Sequence, residues 1–471
     1  MHLSGQFAQA EPAYRTILQY SPGHFDALHL YGVMNYQLGR HDHAIALIQQ
    51  ALGQNPNSSE AFTNYGAVLQ DLKRYDEAIA AYDRAIAINA ANAEAFYNRG
   101  VALKELDRLD EALASYDNAL PLKPDHVEAR SNRAVVLQYL KRFDDALAEY
   151  DRALAIKPDY AEVHQNASQC RLLLGNFEDG WPQYEWRQRT RAMVADGRDF
   201  NAPRWDGIAS LAGKTILLHA EQGLGDTIQF VRYVKEVAGA GAKIVLEVQR
   251  PLVSLLKEIP GVDLCIARGD ALPKADFHCP LLSLPFLFRT RLDTIPAPSA
   301  YVAASSGKVS AWQERLGAAS LPRVGIVWSG SSTHLNDNNR SIPLSLLAAG
   351  LPANVQLVSL QKEVRPDDWK FLETHPEILH FGAQLQDFSD TAALVQLMDI
   401  VISVDTSVAH LAAAMGRPVW ILLPYLPDWR WLLERADSPW YPTARLFRQS
   451  VLRDWPGVVA QAAAALAEIY P

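Results

Sequence analysis

Three cysteines are all that 471 residues carry: Cys170, Cys265 and Cys279, with no C-x-x-C spacing. That excludes a disulfide framework and fits a reducing compartment with buried structural thiols. Nor is there a spaced His/Cys cluster to ligate zinc. No apolar run approaches the roughly 20 residues that cross a bilayer, and the N-terminus has no basic-then-apolar signal. The expectation is a soluble, cytoplasmic protein. Basic charge is in deficit, the net charge being -9. This argues against non-specific binding to nucleic acid or acidic membrane, and leaves anionic ligands to local basic groups. What is present is apolar substance. Hydrophobic residues make up 49% and charged residues 21%, enough to bury real cores, and the length suggests about three domains.

The first third repeats with a period of 34. Small residues recur at Gly32, Gly66, Gly100 and Ala134, and again at Ala44, Ala78, Ala112, Ala146 and Gly180. Tyr82, Tyr116, Tyr150 and Tyr184 keep the same step, as do Ala51, Ala85, Ala119 and Ala153. Pro56, Pro124 and Pro158 follow it too, with Ala90 in place of one proline. The pattern resembles the tetratricopeptide repeat (TPR) family, in which small residues let paired helices pack closely and a proline ends the second helix. The resemblance implies a curved α-solenoid over residues 1–189, with full repeats beginning near Phe25, Ser59, Ala93, Val127 and Ala161. Ala10, Tyr14 and Pro22 match a second helix whose first helix is missing, so either the chain is a fragment or that helix lies upstream. The last repeat departs from the pattern, with Arg187 at a small position and Trp181 and Trp186 nearby, as a capping repeat would.

Asn64, Asn98, Asn132 and Asn166 hold corresponding places on successive first helices. In the TPR family that helix lines the concave surface. A ladder of amides there could bond an extended peptide backbone, since each offers donor and acceptor. A similar asparagine ladder marks the superhelix of protein O-GlcNAc transferases. Asparagine tolerated on a solvated helix face would give the same pattern.

Periodicity fades over residues 190–213, where Phe200 and Trp205 are expected to anchor a linker. Strand and helix patterns then alternate, which implies parallel sheets. Thr215–Ala220 reads as a buried strand, Glu221 to Asp226 as a glycine-bearing turn, and Thr227–Gly239 as a helix. Lys243–Val248 and Val262–Ile266 are further strands. Neither common nucleotide motif holds. Ile228 stands where the third glycine of G-x-G-x-x-G belongs, and Gly207–Thr215 has the wrong spacing for a P-loop and precedes its strand. A second series opens with the strand Arg323–Trp328, followed by Ser329, Gly330 and a polar loop from His334 to Arg340. Val355–Leu360 is a strand ending in Gln361-Lys362-Glu363. Ile400–Val404 runs into Asp405-Thr406-Ser407, a helix to Met415, and a strand over Pro418–Leu423. Free N–H groups at that helix start suit phosphate oxygens, because unpaired N–H and the helix dipole both favour negative charge. An ordinary turn capped by Asp405 or Ser407 has the same look.

Gly223-Leu224-Gly225-Asp226 before an apolar helix looks like the first strand–helix turn of heptosyltransferase-type glycosyltransferases. Asp405-Thr406, His410-Leu411, Ala414, Gly416 and Pro418 look like their donor-binding segment. The resemblance implies two Rossmann-like halves of GT-B type, an N-terminal acceptor half over 214–310 and a C-terminal nucleotide-sugar half over 311–471, with a final helix crossing back. By that match Asp226 is the catalytic base, and the acceptor-side loop holds Glu221, Gln222, Gly223 and Gly225. Asp405, Thr406 and His410 would contact donor phosphate or sugar. Ser407 stands where many relatives have glycine. Ser329 and Gly330 would meet phosphate by backbone and hydroxyl, and Arg340 would neutralise the diphosphate unless it merely pairs with Asp337. Gln361 and Glu363 would hold the nucleoside. Asp428, Trp429 and Arg430 follow a strand end and can face the same cleft.

The function implied is inverting transfer of a sugar from a nucleotide-sugar to an acceptor hydroxyl. No D-x-D motif occurs, so no metal and no further cofactor is expected. The array suggests a protein acceptor. Two alternatives stay open: a lipopolysaccharide or polysaccharide acceptor, and a scaffold whose transferase half only binds.

Overall fold

The computed structural model describes residues 6–195, 197–332 and 336–471. His334, expected in the polar loop, lies outside them. The chain divides into two compact units, Met1–Ala167 and Ser168–Pro471. Among the described residues no helix is long and apolar enough to cross a membrane.

The first unit is a TPR solenoid. Its helices are α1 (Phe7–Tyr20), α2 (Phe25–Gln37), α3 (His41–Gln54), α4 (Ser59–Asp71), α5 (Tyr75–Ile88), α6 (Ala93–Glu105), α7 (Leu109–Leu122), α8 (Val127–Tyr139), α9 (Phe143–Ile156) and the start of α10 (Ala161–Leu173). The phased small residues are where helices touch. A Cβ on Gly66 would lie 2.5 Å from the Tyr82 ring, and one on Gly100 2.6 Å from the Tyr116 ring. Both tyrosines are fully buried. The tight turn inside each repeat needs a left-handed residue. Gly39 supplies it freely at φ 71°, whereas Lys73, Asp107 and Lys141 take it at 59°, 56° and 56°, at roughly 1–2 kcal/mol each.

The second unit opens with the end of α10, then α11 (Phe177–Tyr184), a 3₁₀ turn over Glu185–Arg189 and α12 (Arg191–Ala195). The lead-in that follows is held by its aromatics. Phe200 stacks on His219 and His278 at 4.2 and 4.4 Å, and Trp205 donates its indole N–H to Ala209 O and its backbone N–H to His278 O, both at 2.9 Å.

The first α/β half contains β1 (Thr215–His219), α13 (Leu224–Phe230), α14 (Val234–Gly239), β2 (Lys243–Val248), α15 (Val253–Leu256), β3 (Leu264–Ala267), β4 (Phe277–Pro280) and α16 (Leu284–Leu287). Its strands are all parallel in the order β3-β2-β1-β4. The helix expected over Thr227–Gly239 is broken by a 3₁₀ turn at Val231–Tyr233.

The second half starts at α17 (Ser306–Leu316), whose Trp312 donates to Asp390 at 3.2 Å. It continues through β5 (Arg323–Val327), α18 (Asp337–Arg340), α19 (Leu344–Gly350), β6 (Gln356–Ser359), α20 (Pro366–Thr374), β7 (Leu379–His380), α21 (Phe388–Gln396), β8 (Ile400–Val404), α22 (Ser407–Ala414), β9 (Val419–Leu423), β10 (Ala444–Arg448) and α23 (Trp455–Ile469). Again all strands are parallel, in the order β10-β9-β8-β5-β6-β7. Two parallel α/β halves after a helical array are consistent with the GT-B type. The last helix corrects one expectation. The apolar face of α23 is buried in the core of its own half, with Leu344, Leu347 and Phe447, and Val459 fills the space a Cβ on Gly350 would need, at 2.2 Å. Among the described residues its core contacts close that half, where a helix crossing to the other was expected.

Candidate functional site

In open parallel sheets, ligands bind beyond the carboxyl ends of the strands. β1 delivers the turn Glu221–Asp226 there, and β8 delivers Asp405–Ser407. The two turns meet. A Cβ on Gly225 would lie 2.8 Å from His410 Cδ2 and 3.5 Å from Ser407 Cα. Gly225 is thus needed for the approach of α13 to α22. That packing accounts for a glycine at this place in the expected acceptor-side loop.

Asp226 uses both carboxylate oxygens. Oδ2 accepts from Gly223 N–H at 2.7 Å, capping α13, and Oδ1 is paired with Arg430 Nη2. Arg430 is buried, stacks over the Trp429 ring at 4.3 Å, and donates to Asp428 at 2.8 Å and Gln229 Oε1 at 2.6 Å. Around the turn, Gln222 O accepts from Gln249 at 2.8 Å. Glu221 is buried against Arg187, whose Nη2 donates to it at 2.8 Å. Burial pushes the Glu221 carboxyl up, and Arg187 opposes that rise.

The N-terminus of α22 is open. Thr406 sits at the N-cap with no side-chain cap, its hydroxyl sharing a 3.0 Å bond with Ser403 instead. Among the described residues the backbone N–H groups of Ser407, Val408 and Ala409 find no acceptor. Burial, with the Asp428 charge beside it, raises the Asp405 carboxyl to about 6, against the pull of Arg340 and Arg430. His410 is buried, with Nδ1 and Tyr441 Oη sharing a 2.7 Å bond, its ring stacked on Trp431 at 5.3 Å, and Nε2 3.8 Å from Asp405 Oδ1. Burial, reinforced by Arg430, Arg232 and Arg340, holds it far below the usual imidazole range, so it stays neutral.

Arg340 reaches the same place. Its Nη1 donates to Asp405 O at 3.1 Å, and its buried Nε, with no hydrogen-bond partner among the described residues, forms an ion pair with Asp337 Oδ1 at 3.7 Å. Gly330 gives it room, since a Cβ there would lie 2.5 Å from Arg340 Nη2. The Ser329 hydroxyl is buried and unpartnered among the described residues.

Several expectations need correction here. Gln361, expected at the nucleoside, has its amide engaged on the backbone: Oε1 accepts from Ser329 N–H at 3.4 Å and Nε2 donates to Ser329 O at 3.0 Å. Its amide is spent shaping the turn. Gly330 N–H likewise goes to Ser341 Oγ at 3.0 Å, so the backbone of Ser329-Gly330 is taken and the Ser329 hydroxyl alone remains for a phosphate. Glu363 is exposed. In the array the asparagines have packing roles. Asn64 pairs with His29 Nε2 at 2.9 Å, Asn132 donates to Tyr97 Oη at 3.2 Å and Asn166 to Ser131 Oγ at 3.4 Å, each bonding the preceding repeat. Asn98 turns to Glu94 at 3.4 Å.

Sequence reasoning placed Arg430 and Asp428 near the cleft but did not foresee the pairing with Asp226. Arg187 carried a signal, a cation at a phased small position, and it marks the junction of α11 with the turn after β1. Trp181 marks it too, donating to Thr290 O at 2.9 Å and packing edge-on to Trp429 at 5.2 Å.

Comparison with known proteins places names on both parts. The model for glycosyltransferase family 9 (heptosyltransferase) matches residues 384–423, the stretch that contains β8, α22 and β9. Tetratricopeptide repeat models match residues 69–107, 93–126 and 127–160, and a model for anaphase-promoting complex, cyclosome, subunit 3 matches residues 4–85. Protein FlbA of Caulobacter vibrioides is 26% identical over 313 residues, which are 60% of this chain and 51% of that protein. The chain therefore spans about half the length of this curated relative. Among solved structures, MamA aligns at 24% identity and TM-score 0.32 over 34% of this chain and 94% of its own. PilW aligns at 21% identity and TM-score 0.38 over 41% and 93%. The chain carries N-terminal TPR repeats followed by a heptosyltransferase-like glycosyltransferase domain.

Proposed function

We propose that the second unit transfers a sugar from a nucleotide-sugar to an acceptor hydroxyl, with inversion and without a metal, and that the acceptor is a protein engaged by the array. The observation that carries this reading is the meeting of the Asp226 turn with the open N-terminus of α22 beside Arg340. The acceptor oxygen attacks the anomeric carbon and loses its proton to Asp226. The bond from that carbon to the nucleotide diphosphate breaks. Arg340, the Ser329 hydroxyl and the N–H groups of Ser407 to Ala409 take up the charge that develops on the leaving phosphate. Asp226 is held by Arg430 before reaction. Release of that pair toward the incoming diphosphate frees the base only when donor is bound.

The test is incubation of the full chain with radiolabelled sugar nucleotides and a cell lysate. Label in protein bands that disappears with Asp226→Asn is the expected result. Label confined to glycolipid would replace the acceptor assignment, and undiminished transfer by the variant would remove Asp226 from the chemistry.

A further inference from the structure

The arginines around the strand ends of the crevice are used unequally. Arg430 bonds through every side-chain nitrogen, to Gln229, Asp428 and Asp226. Arg232 does the same with Gln229 O, Pro296 O, Trp440 O and the Tyr301 hydroxyl. Both are buried, and both hold protein to protein. Arg340 and Arg365 differ. Among the described residues Arg340 makes its hydrogen bond through Nη1 alone, and Arg365 makes its hydrogen bonds through Nη2 alone. Each guanidinium therefore has N–H donors still to give.

These two share one counter-ion. Arg340 ends α18, and Arg365 stands between β6 and α20. The buried Asp337 carboxylate lies between them, with Oδ2 paired to Arg365 Nη2 and Oδ1 3.7 Å from Arg340 Nε. Ser341 ties the group together. Its hydroxyl donates to Asp337 Oδ1 at 2.7 Å, and accepts from Arg365 Nη2 at 3.2 Å and Gly330 N–H at 3.0 Å. Gly330 thus has a guanidinium on each flank, Arg340 against its Cα and Arg365 one hydroxyl away from its N–H. Sheet order explains the alignment. β8, β5 and β6 are successive neighbours, about 4.8 Å apart. Their ends deliver the open start of α22, the Ser329-Gly330 turn and Arg365. Arg365 keeps 38% of its side chain exposed against 7% for Asp337, so the acid is closed in while the cation faces outward. One carboxylate between two guanidiniums leaves room for further negative charge, and the arginine fork matches phosphate oxygens.

We propose that Arg365 is a second cation of the donor grip. Arg340, with the Ser329 hydroxyl and the start of α22, takes one phosphate of the diphosphate, and Arg365 takes the other. Asp337 is the counter-ion that holds both arginines in place before the ligand arrives. The inference rests on the nucleotide-sugar reading above. It adds to that reading the residue that selects a diphosphate over a monophosphate.

Inorganic pyrophosphate and orthophosphate are the probes, since neither depends on the base or the sugar. Each is titrated calorimetrically into the full chain at low salt, with a chelator present. The parent is expected to bind pyrophosphate at least about tenfold more tightly than phosphate, two charge-assisted contacts against one. Arg365→Gln should bring the two probes within about threefold by weakening pyrophosphate alone. Arg340→Ala should weaken both by about tenfold. Arg315→Gln is the control, at an exposed arginine on α17, whose end lies by the start of β5, where Arg323 donates to Gly317 O at 2.6 Å. It should change neither probe by more than about twofold. Arg365→Gln leaves Asp337 bonded to Ser341 and beside Arg340, so its melting curve should follow the parent's. Unchanged pyrophosphate binding in Arg365→Gln, with the loss in Arg340→Ala retained, would overturn this inference and leave the transferase reading standing. So would equal weakening of the two probes by Arg365→Gln. Binding of neither probe by the parent would overturn both readings.

Discussion

Asp226 and Arg430 stand 204 residues apart in the chain and form one ion pair, joining the turn after β1 to the segment after β9. The guanidinium also serves Asp428 and Gln229, so its removal strands two carboxylates in a largely buried setting. Breaking a buried pair from one side typically costs about 3–5 kcal/mol. Arg430→Met is expected to destabilise the second unit by that amount in urea unfolding and to abolish transfer. Arg430→Lys, which keeps the charge and loses the fork, should recover most of the stability and little of the activity. A fully stable and active Arg430→Met variant would show that the pair is incidental.

Asp405 gives a pH dependence with a definite sign. A carboxyl raised in the folded state holds its proton more tightly there than in the unfolded chain. Its ionisation therefore removes stability as pH rises through the interval from about 4 to about 6. Asp405→Asn, neutral at every pH, should melt higher than the parent at pH 7.5, by an equivalent of roughly 1–3 kcal/mol, and lose that advantage near pH 4. An advantage that grew toward acid would reverse the sign and place a cation, not burial, in control of the group.

Two glycines separate packing from binding. An alanine at Gly225 would press on the buried His410 ring at 2.8 Å, and overpacking of this kind costs about 1–3 kcal/mol. Gly225→Ala is expected to lower stability. An alanine at Gly330 would instead displace the end of the flexible Arg340 side chain. Gly330→Ala should leave the melting temperature nearly unchanged and raise KM for the donor by about tenfold, the scale of one lost charge-assisted bond. Melting curves and donor titrations of the two variants check the contrast.

Arg187 and Glu221 form a second buried pair, linking the segment after α11 to the turn that carries Asp226. Arg187→Met leaves Glu221 buried without its cation and should cost about 3–5 kcal/mol. Adding Glu221→Gln removes the stranded charge and should restore a good part of it. A double-mutant cycle with no coupling would show that the two residues act independently.

The array and most strands were legible because their signals are local. Small residues at a fixed step mark helix contacts, as Gly66 against Tyr82 shows, and continuous apolar runs such as Ile400–Val404 mark buried parallel strands. β4 (Phe277–Pro280) and β10 (Ala444–Arg448) were not legible, because a histidine and two arginines interrupt their short apolar patterns. The strand ends gave the right neighbourhood for Asp226, Arg340 and Asp405. They could not say who pairs with whom. Gln361 was read as a nucleoside contact through the heptosyltransferase resemblance, and only the fold shows its amide closing on the Ser329 backbone. The asparagine ladder is ambiguous in the same way, since a side chain able to bond a peptide can equally bond the repeat before it, as Asn64 does with His29.

The central claim is that one crevice holds a proton acceptor on the turn after β1 and an anion grip at the start of α22. Calorimetric titration of the full chain with the sugar nucleotide selected by the transfer assay tests it most directly. Asp226→Asn should bind the donor within about threefold of the parent while transferring nothing, and Arg340→Ala should lose about tenfold or more in donor affinity. Donor binding lost in the first variant and kept in the second would contradict the account.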